Sequence, residues 1–338
     1  MRRAMVIMLG LVLLAGWGAC KKSQDQVGQP EKITIAVIPK GATHEYWKSI
    51  HAGAVKASQE LKVDIIWKGP LKEDDREAQI QVVEDLISRG VSGIVLAPLD
   101  DVALAGPVGN ASRSNIPVVI IDSPIQSQDY VSFVATDNYK GGFMAGEYLC
   151  KLLEGKGKVI MLRCHVGSAS TTERERGFSD AIKACPGIQV VSDNQYAGVT
   201  TETAFQTSEN LLARFKNPDG SLGIDGIFCP NESTTFGMLR ALQEGGWAGS
   251  AKGKIKFIGF DSSLKLIEAL QAGQINGLIL QNPFQMGYLG VKTIVAHLNH
   301  QPIEKRVDTG ETLVTRENMD QPEIKELLSP DLKKWLNE

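Results

Sequence analysis

Residues 256–261 read KFIGFD, an apolar strand that stops on one acid, Asp261, and runs straight into the turn Ser262-Ser263. A helical pattern then starts at Leu264. The same arrangement recurs at VVIID, which ends on Asp122, at GIFCPN, which ends on Asn231, and at GLILQ, which ends on Gln281. In open α/β sheets, ligands bind in the crevice beyond the carboxyl ends of the strands. Four hydrogen-bonding side chains set there from distant segments describe a polar pocket.

Outward from these segments, strands and helices alternate. Ile33 to Pro39 is a continuous apolar run, as expected of a parallel strand covered on both faces. A helix over about Tyr46–Leu61, a strand Val63–Trp67 and a helix Arg76–Arg89 follow, the last with Ile80, Val83, Leu86 and Ile87 at helical spacing and Gly90 as its stop. Strand Gly93–Leu99, a further helical segment, and strands Pro117–Asp122 and Val131–Thr136 complete a doubly wound unit. A second unit repeats the pattern. Its strands are expected at Val159–Leu162, Ile188–Val191, Gly226–Cys229, Ile255–Phe260 and Leu278–Leu280. Its helices are expected at Gly141–Leu153, Glu173–Ala184, along the stripe Ala204, Ser208, Leu211, Leu212, Phe215, at Thr234–Glu244 and at Leu264–Ala272. A long helix Gln285–Leu298, a strand Thr312–Val314 and a short helical tail close the chain. No Pro-, Gly- or Ser-rich linker separates the units, which suggests lobes hinged around a cleft.

A chain of 338 residues can hold two domains with full cores. A net charge of −3 with evenly mixed signs gives no reason to expect nucleic acid or an anionic membrane surface as partner. At the N-terminus, Arg2 and Arg3 precede an apolar run from Ala4 to Ala19, which ends at Cys20 before Lys21 and Lys22. That run is short of the about 20 residues a membrane span needs and reads as an export signal. Cys20 directly after Gly18-Ala19 resembles a bacterial lipoprotein signal, in which the Cys becomes the acylated new N-terminus, although Trp17 stands where Leu is usual. An ordinary cleaved signal and a retained anchor are the alternatives. Lys21–Lys32 then reads as a flexible tether. Of the other cysteines, Cys150, Cys164, Cys185 and Cys229, none forms a C-x-x-C pair, so no zinc pattern exists. Cys164 and Cys229 lie in or beside apolar strands and read as small buried hydrophobes, with a Cys164–Cys185 bridge as the alternative.

Reactive motifs are missing. There is no G-x-x-x-x-G-K-[ST] loop, and Gly141–Gly146 lacks the G-x-G-x-x-G arrangement. His44-Glu45 begins like H-E-x-x-H, but Lys48 takes the second His position, and no G-x-S-x-G elbow occurs. Asp122 and Asp261 could be imagined as a glycosidic acid pair, but the reading here is no enzyme, no cofactor and no metal.

Eight segments carry a family resemblance: IAVIPKGATHEYWKSIHAGA, GIVLAPLD, IPVVIIDS, FVATDNYKGG, STTERERGF, FCPNES, FIGFDSS and LILQNPFQMG. In that order and spacing, from about Ile33 to Val314, the chain resembles the ribose-type periplasmic sugar-binding proteins of bacterial ABC importers. The resemblance implies the periplasmic binding protein type I fold, two Rossmann-like lobes joined by three crossover strands. One lobe would be residues 33–136 with 282–307, the other 137–281 with 308–338, with Asp137-Asn138 at the first crossover and Arg306–Gly310 near the third. It implies a monosaccharide or related polyol held by hinge closure and passed to a membrane permease, or, alternatively, presented to a chemoreceptor or sensor kinase. Lac-type repressors share this fold, but a repressor reading is set aside by the export signal, which stands where their DNA-binding helices would be.

The resemblance also assigns site residues. Tyr46 and Trp47 would sandwich a sugar face, while Asp122 and Asp261 would accept from adjacent hydroxyls, leaving helix capping to Ser123 and Ser262. Arg174 would bind ligand and Arg176 would be its structural companion; Asn231 and Gln281 would donate and accept, and Lys40 would reach the ligand from Ile-Pro-Lys. His44 stands where an Asn is usual, Glu45 where Pro is common, and Ser123 where the ribose binder has Arg, so the particular sugar is left open. A monomer is expected.

Overall fold

The computed structural model describes residues 32–42, 44–249 and 255–336. The lipidation expected at Cys20, and the signal and tether apart from Lys32, lie outside the described residues. From Ile33 onward the chain is one compact unit.

It begins with β1 (Thr34–Ile38), α1 (Glu45–Leu61), β2 (Asp64–Trp67), α2 (Arg76–Ser88), β3 (Gly93–Leu96), α3 (Ala105–Arg113), β4 (Val118–Ile121) and β5 (Ser132–Ala135). Next come α4 (Asn138–Leu152), β6 (Lys156–Arg163), α5 (Ala169–Lys183), β7 (Gly187–Tyr196), α6 (Thr201–Ala213), β8 (Gly226–Phe228), α7 (Glu232–Glu244), β9 (Lys256–Phe260), α8 (Leu264–Gln271) and β10 (Gly277–Leu280). The chain ends with α9 (Pro283–Leu298), β11 (Arg306–Asp308), β12 (Thr312–Val314), α10 (Pro322–Leu328) and α11 (Lys333–Leu336).

These strands form two six-stranded sheets, ordered β11-β5-β4-β3-β1-β2 and β12-β10-β9-β8-β6-β7. All neighbours run parallel except β12, which pairs antiparallel with β10. Central strands such as β3, β4 and β10 are buried along their whole length, which explains their unbroken apolar sequences. The two lobes are joined where the chain passes between sheets, after β5, after β10 and between β11 and β12.

Each lobe is tightened by close helix crossings. A Cβ at Gly53 of α1 would lie 1.9 Å from the Phe284 carbonyl oxygen of α9. A Cβ at Gly142 of α4 would lie 1.9 Å from the Arg174 carbonyl oxygen of α5. Only glycine lets the backbones meet at this distance. These crossings set the starts of α1 and α5, and with them Tyr46 and Arg174.

Several boundaries differ from the sequence reading. The strand expected at Ile188–Val191 extends to Tyr196 as an outer strand with register shifts against β6. Its polar end, Ser192-Asp193-Asn194-Gln195, faces solvent and so hid the period. Helix α4 starts at Asn138 rather than Gly141, because the Asp137 side chain accepts from Lys140 N and caps it. Cys164 and Cys229 are free and buried, as expected of small hydrophobes, while the disulfide joins Cys150 to Cys185. The Cys164–Cys185 alternative is thereby corrected. Cys150 lies on α4 and Cys185 just past α5, and these helices pack side by side, whereas the Cys164 sulfur points inward to the Gly198 carbonyl.

Candidate functional site

The polar strand ends do converge, in a cleft where the carboxyl edges of the two sheets face each other. Asp122 follows β4 and Asp261 follows β9, and these strands hold the same place in their sheets. Both acids adopt the left-handed conformation, at φ 64° and 65°. Outside glycine this region is visited chiefly by Asp and Asn. It turns the chain sharply off each sheet and leaves each carboxylate in the cleft. Neither acid is the N-cap of the helix that follows it in the chain.

The first lobe supplies a dense set of partners. Lys40, just past β1, pairs its Nζ with Asp122 Oδ2 at 2.6 Å, with both side chains buried. The Tyr46 hydroxyl donates to Asp122 Oδ1 at 2.8 Å and lies 3.3 Å from Gln281 Oε1. His44, immediately before α1, places Nδ1 2.7 Å from Glu73 Oε1, and Trp47 Nε1 donates to the same oxygen at 2.7 Å. The Tyr46 and Trp47 rings meet edge to face with centroids 5.0 Å apart.

The second lobe is anchored by Arg174 on α5. Its Nε donates to Asn138 Oδ1 at 2.8 Å and its Nη1 to the Pro230 carbonyl at 2.9 Å. The guanidinium lies over the Phe260 ring at 4.0 Å and reaches Asp261 Oδ2 only at 3.9 Å. Asp261 Oδ1 accepts from Gln281 Nε2 at 2.7 Å, and Oδ2 from Glu232 N at 3.2 Å. Gln281 follows β10 directly, at a crossover between lobes.

Contacts across the seam hold the lobes together. Lys40 Nζ donates to Ser170 Oγ and Ser170 N to Ser123 Oγ, each at 3.0 Å. Tyr46 N donates to Glu232 Oε2 at 3.4 Å, and Asp101 N to the Gly167 carbonyl at 3.3 Å. About 30 Å³ of free space is left among the cleft side chains. A cavity of that size holds water rather than a sugar ring, so a guest of that size needs the lobes to part.

Electrostatics follow from this burial. Burial opposes charge on His44, but the Glu73 carboxylate, aided by Glu232 and Asp261, raises it to about 9. Burial likewise opposes charge on Glu73, yet His44, Lys40 and the Trp47 N–H hold it well below the usual carboxylate range. Burial pushes Asp261 up, against the pull of Arg174, and pushes Glu232 up to about 7. The Tyr46 phenol is driven well above its ordinary value by burial and by Asp122, so it stays a donor.

Lys40, His44, Tyr46, Trp47, Asp122, Arg174, Asn231, Asp261 and Gln281 all line this cleft. Two of the expected site residues have local duties. Asn231 caps α7, its Oδ1 accepting from Thr234 N in a reciprocal capping box. Ser123 is spent on Ser170 across the seam rather than on capping. Ser262 does not cap either; Ser263 precedes α8, and the Ser262 hydroxyl donates to the Leu328 carbonyl. Arg176 is exposed and bonds Glu173. Sequence reasoning missed Glu73, Ser168, Ser170, Thr171 and Glu232, which also line the cleft. Glu232 had a signal, being the residue after a strand-end Asn. Glu73 had none, because KEDD reads as a solvated charge run.

Two α/β lobes that close on a shared polar cleft, with no linker between them, define a hinged ligand-binding protein. Residues 35–302 match the family model described as a periplasmic binding protein domain. The ribose import binding protein of Escherichia coli is 28% identical over 286 residues, 85% of this chain and 92% of that protein. The D-allose-binding periplasmic protein of the same organism is 29% identical over 269 residues, 77% of this chain and 83% of that one. Among solved structures, a carbohydrate transporter solute-binding protein from Agrobacterium radiobacter in complex with D-arabinose has a TM-score of 0.83 at 34% identity, covering 89% of this chain and all of that one. An ABC transporter solute-binding protein from Agrobacterium vitis with bound D-fucose has a TM-score of 0.81 at 35% identity, over 88% of this chain. The chain belongs to the periplasmic binding protein family, and within it to the ribose type.

Proposed function

We propose that this chain is the sugar-capturing subunit of an ABC importer. It takes a monosaccharide or a related polyol into the cleft, closes over it, and hands it unchanged to a membrane permease. The observation that carries this reading is the convergence of charged donors and acceptors from both lobes, Lys40 and Asp122 facing Arg174 and Asp261, beside two aromatic rings. Sugar hydroxyls donate and accept at once, so they need such mixed partners. Charged partners make the stronger bonds, and the C–H face of a sugar ring suits Tyr46 and Trp47. The relatives named for ribose and allose, and the structures with D-arabinose and D-fucose, support the sugar class.

On this reading the site comprises Lys40, His44, Tyr46, Trp47, Asp122, Arg174, Asp261 and Gln281. Ser123 and Asn231 hold its edges. The lobes, residues 33–136 with 282–307 and 137–281 with 308–338, part about the three crossovers to admit the guest. Acylation at Cys20 tethers a monomer to the outer face of a membrane, with residues 21–32 as the leash.

A thermal-shift screen against D-ribose, D-allose, D-arabinose, D-fucose, D-xylose, L-rhamnose and common polyols tests the function. A ligand present at about 100 times its Kd stabilises by about 2.7 kcal/mol, an upward shift of several degrees. A screen in which no sugar or polyol moves the transition sinks the reading. Mass spectrometry of protein extracted from the native membrane tests the anchor, and an unmodified Cys20 in a soluble mature form removes it.

A further inference from the structure

We infer that Glu73 is the positioning residue of the cleft, holding the Trp47 indole and the His44 ring so that His44 meets the ligand as a hydrogen-bond donor. The inference rests on the sugar-capture reading and adds what one wall of the site demands of the guest.

Glu73 comes from the loop between β2 and α2 and is buried. The loop after β1 passes so close that a Cβ at Gly41 would lie 2.9 Å from Glu73 Cγ, so the side chain is pinned from behind. One of its oxygens takes both Trp47 Nε1 and His44 Nδ1, each at 2.7 Å. A carboxylate oxygen has two lone pairs and can serve both. Indole has a single N–H, so this bond fixes the ring plane. With Nδ1 engaged by Glu73, Nε2 is the His44 nitrogen left for the cleft that His44 lines.

Protonation then decides what a ligand meets there. An imidazolium donates from both nitrogens, whereas a neutral ring donating through Nδ1 presents Nε2 as an acceptor. The charged groups facing His44 are Glu73 from its own lobe, and Glu232 at the start of α7 and Asp261 after β9 from the other; Lys40 stands by Glu73. All three acids favour the cation against the opposing effect of burial. Over ordinary pH the wall therefore offers an N–H. The matching end of the guest carries an acceptor oxygen, as a hydroxyl, ring oxygen or carbonyl, and an ammonium there is repelled.

Glu73→Gln tests this, because the amide keeps an acceptor for Trp47 but removes the anion. The full chain is titrated by NMR on its histidine rings, with His44→Gln to assign the signal. In the wild type, His44 should stay protonated from pH about 5.5 to about 8, and in Glu73→Gln it should lose its proton within that range. With the tightest binder of the thermal-shift panel as probe, wild-type Kd over the same range should change only as far as Glu232, raised to about 7, titrates in the cleft. The ratio of Glu73→Gln to wild-type Kd should be about tenfold larger at the upper pH than at the lower. Glu73→Asp, which keeps the charge, should restore the wild-type profile even at lower affinity. A purely structural role would weaken binding equally at both pH values, and that result overturns the inference. So does a His44 titration unchanged by Glu73→Gln. If no sugar or polyol of that panel binds, the sugar reading fails, while the ring titration still decides the pairing, because His44 and Glu73 share one lobe.

Discussion

Asp122 and Asp261 occupy equivalent ends of equivalent strands, at φ values one degree apart, yet they live in different company. Asp122 is paired within its own lobe with the Lys40 ammonium, and its Oδ1 accepts from the Tyr46 hydroxyl. Asp261 has only a distant cation, because the Arg174 guanidinium is committed to Asn138 and Pro230. Burial accordingly pushes the Asp261 carboxyl up. The backbone repeats while the chemistry does not. The first wall is a self-contained ion pair, and the second is an acid whose charge is completed by what enters the cleft. Removing the first acid should therefore damage the fold, and removing the second should damage binding.

The largest effect expected is on stability in Asp122→Ala. It strands Lys40 in a buried site, and breaking a buried pair by deleting one partner costs about 3–5 kcal/mol. Urea unfolding without ligand should read that loss. The double variant Lys40→Met with Asp122→Asn should recover most of it, since no unpaired charge is left buried and Asn still tolerates the left-handed turn. If Asp122→Ala unfolds at the wild-type midpoint, the self-contained wall does not exist. Asp261→Ala should lose about 1–2 kcal/mol of stability without ligand, the cost of Ala in a left-handed turn, less than Asp122→Ala, but lose about 2–5 kcal/mol of sugar affinity, measured by calorimetry. Binding within about threefold of wild type, a shift below 1 kcal/mol, would show that the pocket is misplaced.

The next effect separates closure from contact. Gly167 of the second lobe sits at φ 101°, and a Cβ there would lie 2.4 Å from Asp100 Oδ2 of the first lobe. Gly167→Val touches no sugar partner, yet it wedges the seam where Asp101 N meets the Gly167 carbonyl. The ligand-induced rise in melting temperature should shrink by about half, with affinity falling about tenfold, or 1.4 kcal/mol. Backbone strain at this φ also lowers stability without ligand, by about 1–2 kcal/mol. The decisive quantity is thus the difference between occupied and empty melts. An unchanged difference would mean that the lobes bind sugar without meeting here.

The two lobes were not equally legible in the sequence. Apolar runs that end on Asp122, Asn231, Asp261 and Gln281 are local patterns, and both the sheets and the line of the cleft follow from them. What these residues do once there was harder to read. Asn231 carries the same strand-end signature as Asp261, but Thr234 three residues on converts it into a helix cap. Glu73 lies in a charged loop that any surface could carry, and only the fold reveals that Gly41, His44 and Trp47 enclose it. The Cys150–Cys185 pairing was hidden for a similar reason, since it depends on how α4 lies along α5. Periodicity reports burial along one element; it carries no information about which loop of a neighbouring strand arrives at the same point.

The smallest effect concerns the C-terminal segment, through which the second lobe reaches over the first. Helix α10 inserts Ile324 and Leu328 into the core of the second lobe. The chain then crosses to α11, where Trp335 lies 6.4 Å from Phe284 of α9, with Lys56 of α1 over both rings. These contacts sit beside the crossover after β10, outside the residues that line the cleft, and join the lobes by packing. Trp335 is only half-buried, and an exposed cation–π contact contributes about 0.5–1 kcal/mol. Trp335→Ala should therefore weaken sugar binding by only about two- to fivefold, within that energy, mainly through faster release. Stopped-flow release of the bound sugar reads this directly. Unfolding of the empty protein should barely move if the arm works by bridging closed lobes, whereas an equal loss in the empty protein would make it ordinary packing within one fold.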